Sequence, residues 1–325
     1  MALDHYISQV HLKNFYSPAL NGRLLHAISK NDLKYFTPDS KSVCRLDEGN
    51  TNEYLKEPRI IEEFLKTIEG KYNSSVERLR RGNIDSECIY TISGFVSYVA
   101  SCSPAAMRLS SVPLRGTVEM TVAMLDRQKK LPVAPPELGE ITLTEAIKNG
   151  DVEISVDQKF PQAIGIASIL ERTSTFGNFN WEILINNHND CPFFTSDFPV
   201  APERTPDVGI VNRLIPLAPN LAIRICPNRE LPKEVTLTFK HFRFRLLEIS
   251  RREAMEINKL LVRAAEETVF FRDNKRWVSS FVQKNKGYQV ETVTSQLEMN
   301  EGIMQISRQM ILPHTATTSK SIANP

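Results

Sequence analysis

Apolar residues recur at helical spacing along 60–79, where Ile60, Ile61, Phe64, Leu65, Ile68, Tyr72, Val76 and Leu79 lie between Pro58 and Gly82. Proline suits a helix start and glycine a helix stop, so this stretch is the clearest element of the chain. Asp85 can cap the next helix, which carries Ile89, Ile92, Phe95, Val96 and Val99. Ser103 and Pro104 open a third helix, which Pro113 is expected to interrupt, and a further helix is expected over 116–128. Connections of a few residues make these helices antiparallel neighbours. Ahead of them, Ser8 is a plausible N-cap for a short helix over 8–15, with Leu12 and Phe15 on one face. Asn21 and Gly22 signal a turn into a strand near 23–28, and the polar stretch 30–58 leaves room for one short strand around Val43.

Beyond a proline-rich linker over 131–139 the pattern changes. A short helix over 144–149 ends at Gly150, alternation over 152–156 predicts a strand, and 160–172 predicts a helix. Strands are expected over 180–185, 193–195, 213–217, 221–225 and 235–247. Ser250 and Glu253 form a capping box that opens an amphipathic helix to about 268, followed by a helix over 274–284 and closing strands over 288–294 and 303–311. Helix-rich and strand-rich stretches are segregated, which argues for an α+β fold. The expected order is an N-terminal helical block, then a mixed, mainly antiparallel sheet with C-terminal helices. The chain divides into a mainly helical region 1–130, the linker, an α+β region 140–311 continuous with the first or separate from it, and a disordered tail 312–325.

Composition narrows the function classes. The chain has 325 residues, 41% hydrophobic and 24% charged, with a net charge of +2. That balance creates no strong overall field, so a nucleic-acid partner would need a local basic patch. The five cysteines show no CxxC spacing, which argues against structural zinc and fits a reduced, cytoplasmic compartment. There is no basic-then-apolar leader, and no apolar run approaches the ~20 residues of a membrane span.

The order of motifs resembles a known family, the domain-of-unknown-function family 4238. Its opening motif is matched by His5, Tyr6, Gln9, Leu12, Lys13, Asn14 and Phe15, and its first helix core by Ile68 and Glu69. The string Cys102, Ser103, Pro104 with Arg108 stands where the family carries an arginine-threonine-proline string. Ser196, Asp197, Phe198 and Pro199 match a second string, Pro216 to Pro219 a third, and Ile257 with Asn258 a late helix core. The resemblance spans roughly 5–284. Two departures stand out: Cys102 replaces an arginine and Ala218 a serine. The resemblance implies continuity of fold and no particular reaction.

Ionisable groups inside apolar strings are costly unless paired or used. On that ground His5, Gln9, Asp197, Glu69 and Arg108 are the candidate catalytic residues, and Asn14, Ser196, Arg243, Arg245 and Asn258 the candidate substrate-binding ones. His5 titrates near neutrality and Gln9 can orient a water, yet the His5 ring can equally bond backbone. Ser196 and Asp197 end an apolar strand, where a carboxylate serves catalysis or ties a turn. His188, Asn189 and Asp190 on the preceding loop could complete a cluster with Asp197. Glu69 and Arg108 are expected to form a structural ion pair, Asn258 to make a packing-specific hydrogen bond, and His11 to lie at the surface. Over 240–252, basic residues alternate with Phe242, Phe244 and Leu246, which suits either phosphate tracking or a charge-protected edge strand.

Two functions follow. The first is a hydrolase of nucleic acid or a phosphate ester, in a defence or toxin setting, with room for a divalent metal and with nucleic acid or a phosphorylated small molecule as partner. The second is a non-enzymatic module that binds nucleic acid or protein through the basic strand 240–252.

Overall fold

The structure, a computed structural model, describes residues 2–136, 139–207, 209–232, 236–299 and 302–314. Strand β1 (Leu3–His5) and helix α1 (Gln9–Lys13) lead into β2 (His26–Ser29), β3 (Tyr35–Phe36) and β4 (Arg45–Asp47). The helical block follows as α2 (Ile60–Glu69), α3 (Tyr72–Arg81), α4 (Ser86–Cys102) and α5 (Pro104–Arg127). Helix α4 is apolar on nearly every side and is the central one, packed by α2, α3, α5, α7 (Lys159–Ala167) and α8 (Ile169–Asn178). The Asp85 side chain caps it by accepting from the Cys88 N–H at 2.9 Å. Between α5 and α7 lies α6 (Leu143–Asn149), closed by Gly150 in a left-handed conformation.

A five-stranded sheet follows, in the order β10 (Arg243–Glu248), β5 (Asn180–Ile185), β9 (Leu221–Cys226), β8 (Val211–Ala218) and β7 (Ala201–Arg204). Only the β10–β5 pair is parallel, so the class is α+β with a mainly antiparallel sheet. A second sheet has the order β3, β2, β11 (Thr268–Phe271) and β6 (Thr195–Ser196). Helices α9 (Arg251–Ala264) and α10 (Val278–Asn285) and the hairpin β12 (Tyr288–Met299) and β13 (Gly302–Pro313) complete the fold. One buried cluster runs from Ile7 through the helical block and the large sheet to Val290.

Several expected boundaries move, each for a physical reason. Pro113 does not end its helix: α5 runs through it to Arg127. Proline lacks the N–H that would bond the carbonyl four residues back. That carbonyl, Leu109 O, instead accepts from the Thr292 hydroxyl of the hairpin at 2.8 Å. The helix expected over 160–172 is two helices, broken where the Ser168 hydroxyl turns back to Ile164 O at 2.8 Å. Residues 152–156 form no strand. The strand expected around Val43 lies at Arg45–Asp47 instead, and that expected over 193–195 is confined to Thr195–Ser196. The strand expected over 235–247 is confined to β10; residues 233–235 lie outside the described ones, and Asn178 meets Thr236 O and His241 N through its side chain. Phe239 packs so closely on Gly177 that a Cβ there would lie 2.3 Å from its ring. Of the tail expected over 312–325, Leu312 and Pro313 belong to β13, and 315–325 lie outside the described residues.

Candidate functional site

The N-terminal candidates meet at Ser40, His5 on its backbone and Gln9 on its hydroxyl. His5 Nε2 lies 3.1 Å from Ser40 O, and Gln9 Oε1 accepts from the Ser40 hydroxyl at 3.3 Å. The His5 carbonyl accepts from the Tyr98 hydroxyl at 2.6 Å. Asp197 is buried close enough to act on Tyr6 and Cys44 as a charge, but among the described residues it shares no hydrogen bond with His5. Its carboxylate accepts from the N–H groups of Glu266, Glu267 and Thr268 at 2.9, 2.7 and 2.9 Å. Those donors are why α9 stops at Ala264 rather than continuing to about 268. Burial pushes the Asp197 carboxyl up to about 6, against the pull of those bonds and of the Lys30 charge. Ser196 Oγ accepts from the Phe198 N–H at 3.1 Å, which closes a local turn.

The expected ion pair between Glu69 and Arg108 does not form. Glu69 accepts from the Ser8 hydroxyl at 2.5 Å, so Ser8 spends its side chain there and not on capping α1. Arg108 reaches from α5 toward the C-terminal half and takes Glu266 in a two-pronged pair at 2.7 and 2.9 Å, with Glu291 at 3.1 Å. It thereby ties the base of the hairpin to the helical block. His11 is not at the surface. It is fully buried, with Tyr72 OH at 2.7 Å and Thr195 Oγ1 at 2.8 Å on its two ring nitrogens, and it stacks on Phe95. Burial lowers its pKa to about 3, so the ring is neutral. Lys30, also buried, donates to the carbonyls of Ala265 and Tyr288, where the C-terminal end of α9 favours a cation. Burial lowers it to about 8.

The remaining candidates are held in the same way. Asn14 donates to Leu217 O at 3.2 Å. Asn258 accepts from the Phe194 N–H at 2.9 Å and donates to Pro192 O at 2.9 Å, a packing-specific bond. Asp190 pairs with Arg251 at 2.6 Å and the His188 ring bonds Ile249 O, so the loop does not build a cluster around Asp197. On the exposed edge strand β10, Arg245 is committed to Glu182, and Arg243 donates to the carbonyls of Lys240 and Phe242. Among the described residues no group of three or more His, Cys, Asp or Glu side chains converges to hold a metal, and no helix is long and apolar enough to cross a membrane.

The arrangement that stands apart was not singled out from the pattern of residues. A cavity of about 500 Å³ opens where α4, α5, α7, α8, β8 and the hairpin meet. Its charged lining is Arg172 from α8, Arg213 from β8 and Arg308 from β13. Hydroxyls come from Ser101, Ser110, Thr292 and Ser307, and an apolar wall from Leu109, Pro113, Leu114, Pro161 and Ile164. Gly165 lets α7 approach α4 here, since a Cβ would lie 2.8 Å from the Ser101 side chain. Among the described residues no acidic one lines the cavity. Arg172 donates to Ala100 O at 2.8 Å and Ser101 Oγ at 2.9 Å. Arg213 Nη1 is buried and has no hydrogen-bond partner among the described residues. Burial, with the like charge of Arg172, lowers Arg213 to about 10, so it still carries its charge at neutral pH.

Elsewhere in the molecule, half-buried arginines have carboxylates: Arg108 has Glu266 and Glu291, and Arg224 has Glu182 and Glu203. Among the described residues Arg213 has no carboxylate partner, and Arg172 acts on it as a like charge; such a charge is costly to hold, and an anion in the cavity would remove that cost. No pattern of residues marked Arg213, because β8 is buried on both faces from Leu214 to Ala218 and alternation does not set its position apart.

A family model matches residues 4–275, and the chain belongs to that family, described as a protein of unknown function (DUF4238). No curated protein matches the chain, and no solved structure does.

Proposed function

We propose that the protein binds a phosphate-bearing ligand in the arginine cavity and acts as a binding module. The observation that carries this reading is Arg213, a half-buried arginine whose Nη1 is itself buried and has no hydrogen-bond partner among the described residues, and on which Arg172 acts as a like charge in the same cavity. Planar guanidiniums suit phosphate oxygens, and the surrounding hydroxyls add donors. The volume falls within the range of small-ligand pockets, about 300–1,000 Å³. The hydrolase of nucleic acid or phosphate esters expected from the sequence shares this ligand class. It weighs less because His5 and Asp197 are tied to backbone groups, and because the described residues of the cavity lining include no Asp, Glu, His, Lys or Cys to activate a nucleophile.

Isothermal titration calorimetry with inorganic pyrophosphate tests the reading directly. Wild type binds, and Arg213→Met binds about 100-fold more weakly, the scale of losing a buried charge partner. Absence of binding to wild type at millimolar pyrophosphate ends the proposal.

A further inference from the structure

The lining of the arginine cavity divides by element. Arg172 and Arg213 come from α8 and β8, whereas the apolar wall comes from α5 and α7: Leu109, Pro113 and Leu114 on one helix, Pro161 and Ile164 on the other. Leu109 and Pro113 lie one turn apart on α5, and Pro161 and Ile164 one turn apart on α7, so each helix presents a stripe rather than a scattered residue. The stripe does not stop inside. Ile164 lines the cavity and is 45% exposed, which places it at the mouth. Phe160, one turn earlier on the same face of α7, is exposed as well and meets the exposed Tyr54 ring at 5.5 Å. An apolar track therefore runs from inside the cavity, through its mouth, to the surface.

Resting on the reading above, we infer that the ligand is a phosphate monoester of an aliphatic alcohol, its phosphate on Arg213 and Arg172 and its chain along the stripe of α5 and α7. Arg213 supplies the buried, unpartnered Nη1. Arg172 is anchored to Ala100 O and Ser101 Oγ through Nη1, and a guanidinium has five donors in all. A phosphate monoester carries about two negative charges at neutral pH and three strong acceptor oxygens, which suits two guanidiniums. Its substituent then meets branched aliphatic and proline side chains. Such a wall favours each methylene that leaves water, whereas base-binding sites present aromatic rings on which a planar base stacks. A free alkyl or prenyl phosphate and the headgroup of a phosphatidate in a membrane both present this chemistry.

Calorimetry on the full chain tests the inference with methyl, butyl and octyl phosphate, below the concentrations at which they form micelles, and with adenosine 5′-monophosphate. Affinity is expected to rise along the alkyl series by about tenfold for every two methylenes buried, and adenosine 5′-monophosphate to bind no tighter than methyl phosphate. Ile164→Ser lowers the ratio of octyl to methyl affinity about tenfold. Both affinities are read on the same variant, so a general loss of folding does not imitate that change. Arg213→Met weakens every member of the series together. Flotation with phosphatidylcholine vesicles that contain either phosphatidate or, as a charge control, phosphatidylserine distinguishes the sources. Retention by phosphatidate vesicles alone identifies a lipid headgroup, and octyl phosphate binding without retention by vesicles identifies a free ligand. Equal affinity across the alkyl series, a ratio that survives Ile164→Ser, or adenosine 5′-monophosphate binding as tightly as octyl phosphate overturns the inference, while pyrophosphate binding keeps the parent reading alive. Failure of every probe and of pyrophosphate ends both.

Discussion

The Asp197 node and the arginine cavity both place charge inside the protein, and they resolve it in opposite ways. Asp197 has three backbone donors and a nearby Lys30, itself satisfied by carbonyls. His11, one residue pair away through Thr195, has a partner on each ring nitrogen. In the cavity, Arg213 Nη1 has no partner among the described residues, and the charge that acts on it is that of another arginine, Arg172. A polar group that is fully satisfied within the fold has its energy committed to the fold. One that is buried and unsatisfied keeps its capacity for a ligand. The residue type alone does not distinguish these cases, and the partner inventory does.

The sharpest way to break the comparison is Asp197→Ala. It leaves three N–H groups without their acceptor and is expected to cost about 3–5 kcal/mol of stability, read by urea denaturation. A cost near zero would free Asp197 from its structural role and restore it as a catalytic candidate.

The pH dependence comes next. His11 is lowered from 6.5 to about 3 by burial, so between those values the unfolded chain binds a proton that the folded one does not. Its contribution to stability is present above about 6.5 and is lost as pH falls toward 3, by an amount on the order of a few kcal/mol. Asp197 acts in the opposite sense, since its raised pKa makes stability fall as pH rises from 3.8 to about 6. Comparing wild type with His11→Gln isolates the histidine share: the variant is less stable at pH 7 but loses less on acidification. Parallel pH profiles for the two proteins would remove His11 from this account.

The smallest effect has the opposite sign. Arg213→Met replaces an uncompensated charge by an apolar chain, so the ligand-free protein is expected to gain about 1–2 kcal/mol, seen as a raised melting temperature. A loss of stability instead would mean that Arg213 is held by the fold after all, like Asp197.

Much of the architecture was legible in the chain. Gly82, Asp85, Ser103 and Ser250 marked helix ends through local chemistry, but the one helix expected between Pro58 and Gly82 is two, α2 and α3, parted at Gly70 and Lys71. Pro113 misled because its missing N–H is a local rule with a distant remedy in Thr292. His11 misled because its partners, Tyr72 and Thr195, are 61 and 184 positions away. Arg108 was paired with the wrong carboxylate for the same reason: Glu266 and Glu291 come from later in the chain.

By itself the sequence determined the helical block, the strand-rich second half, the capping residues and membership of the family, because periodicity and caps act within a few residues. Tertiary structure alone decided which buried polar groups found partners. It also brought Arg172, Arg213 and Arg308 to one cavity, from helix, sheet and hairpin. A charge's cost and use depend on what surrounds it in space, and for these residues the surroundings come from distant parts of the chain.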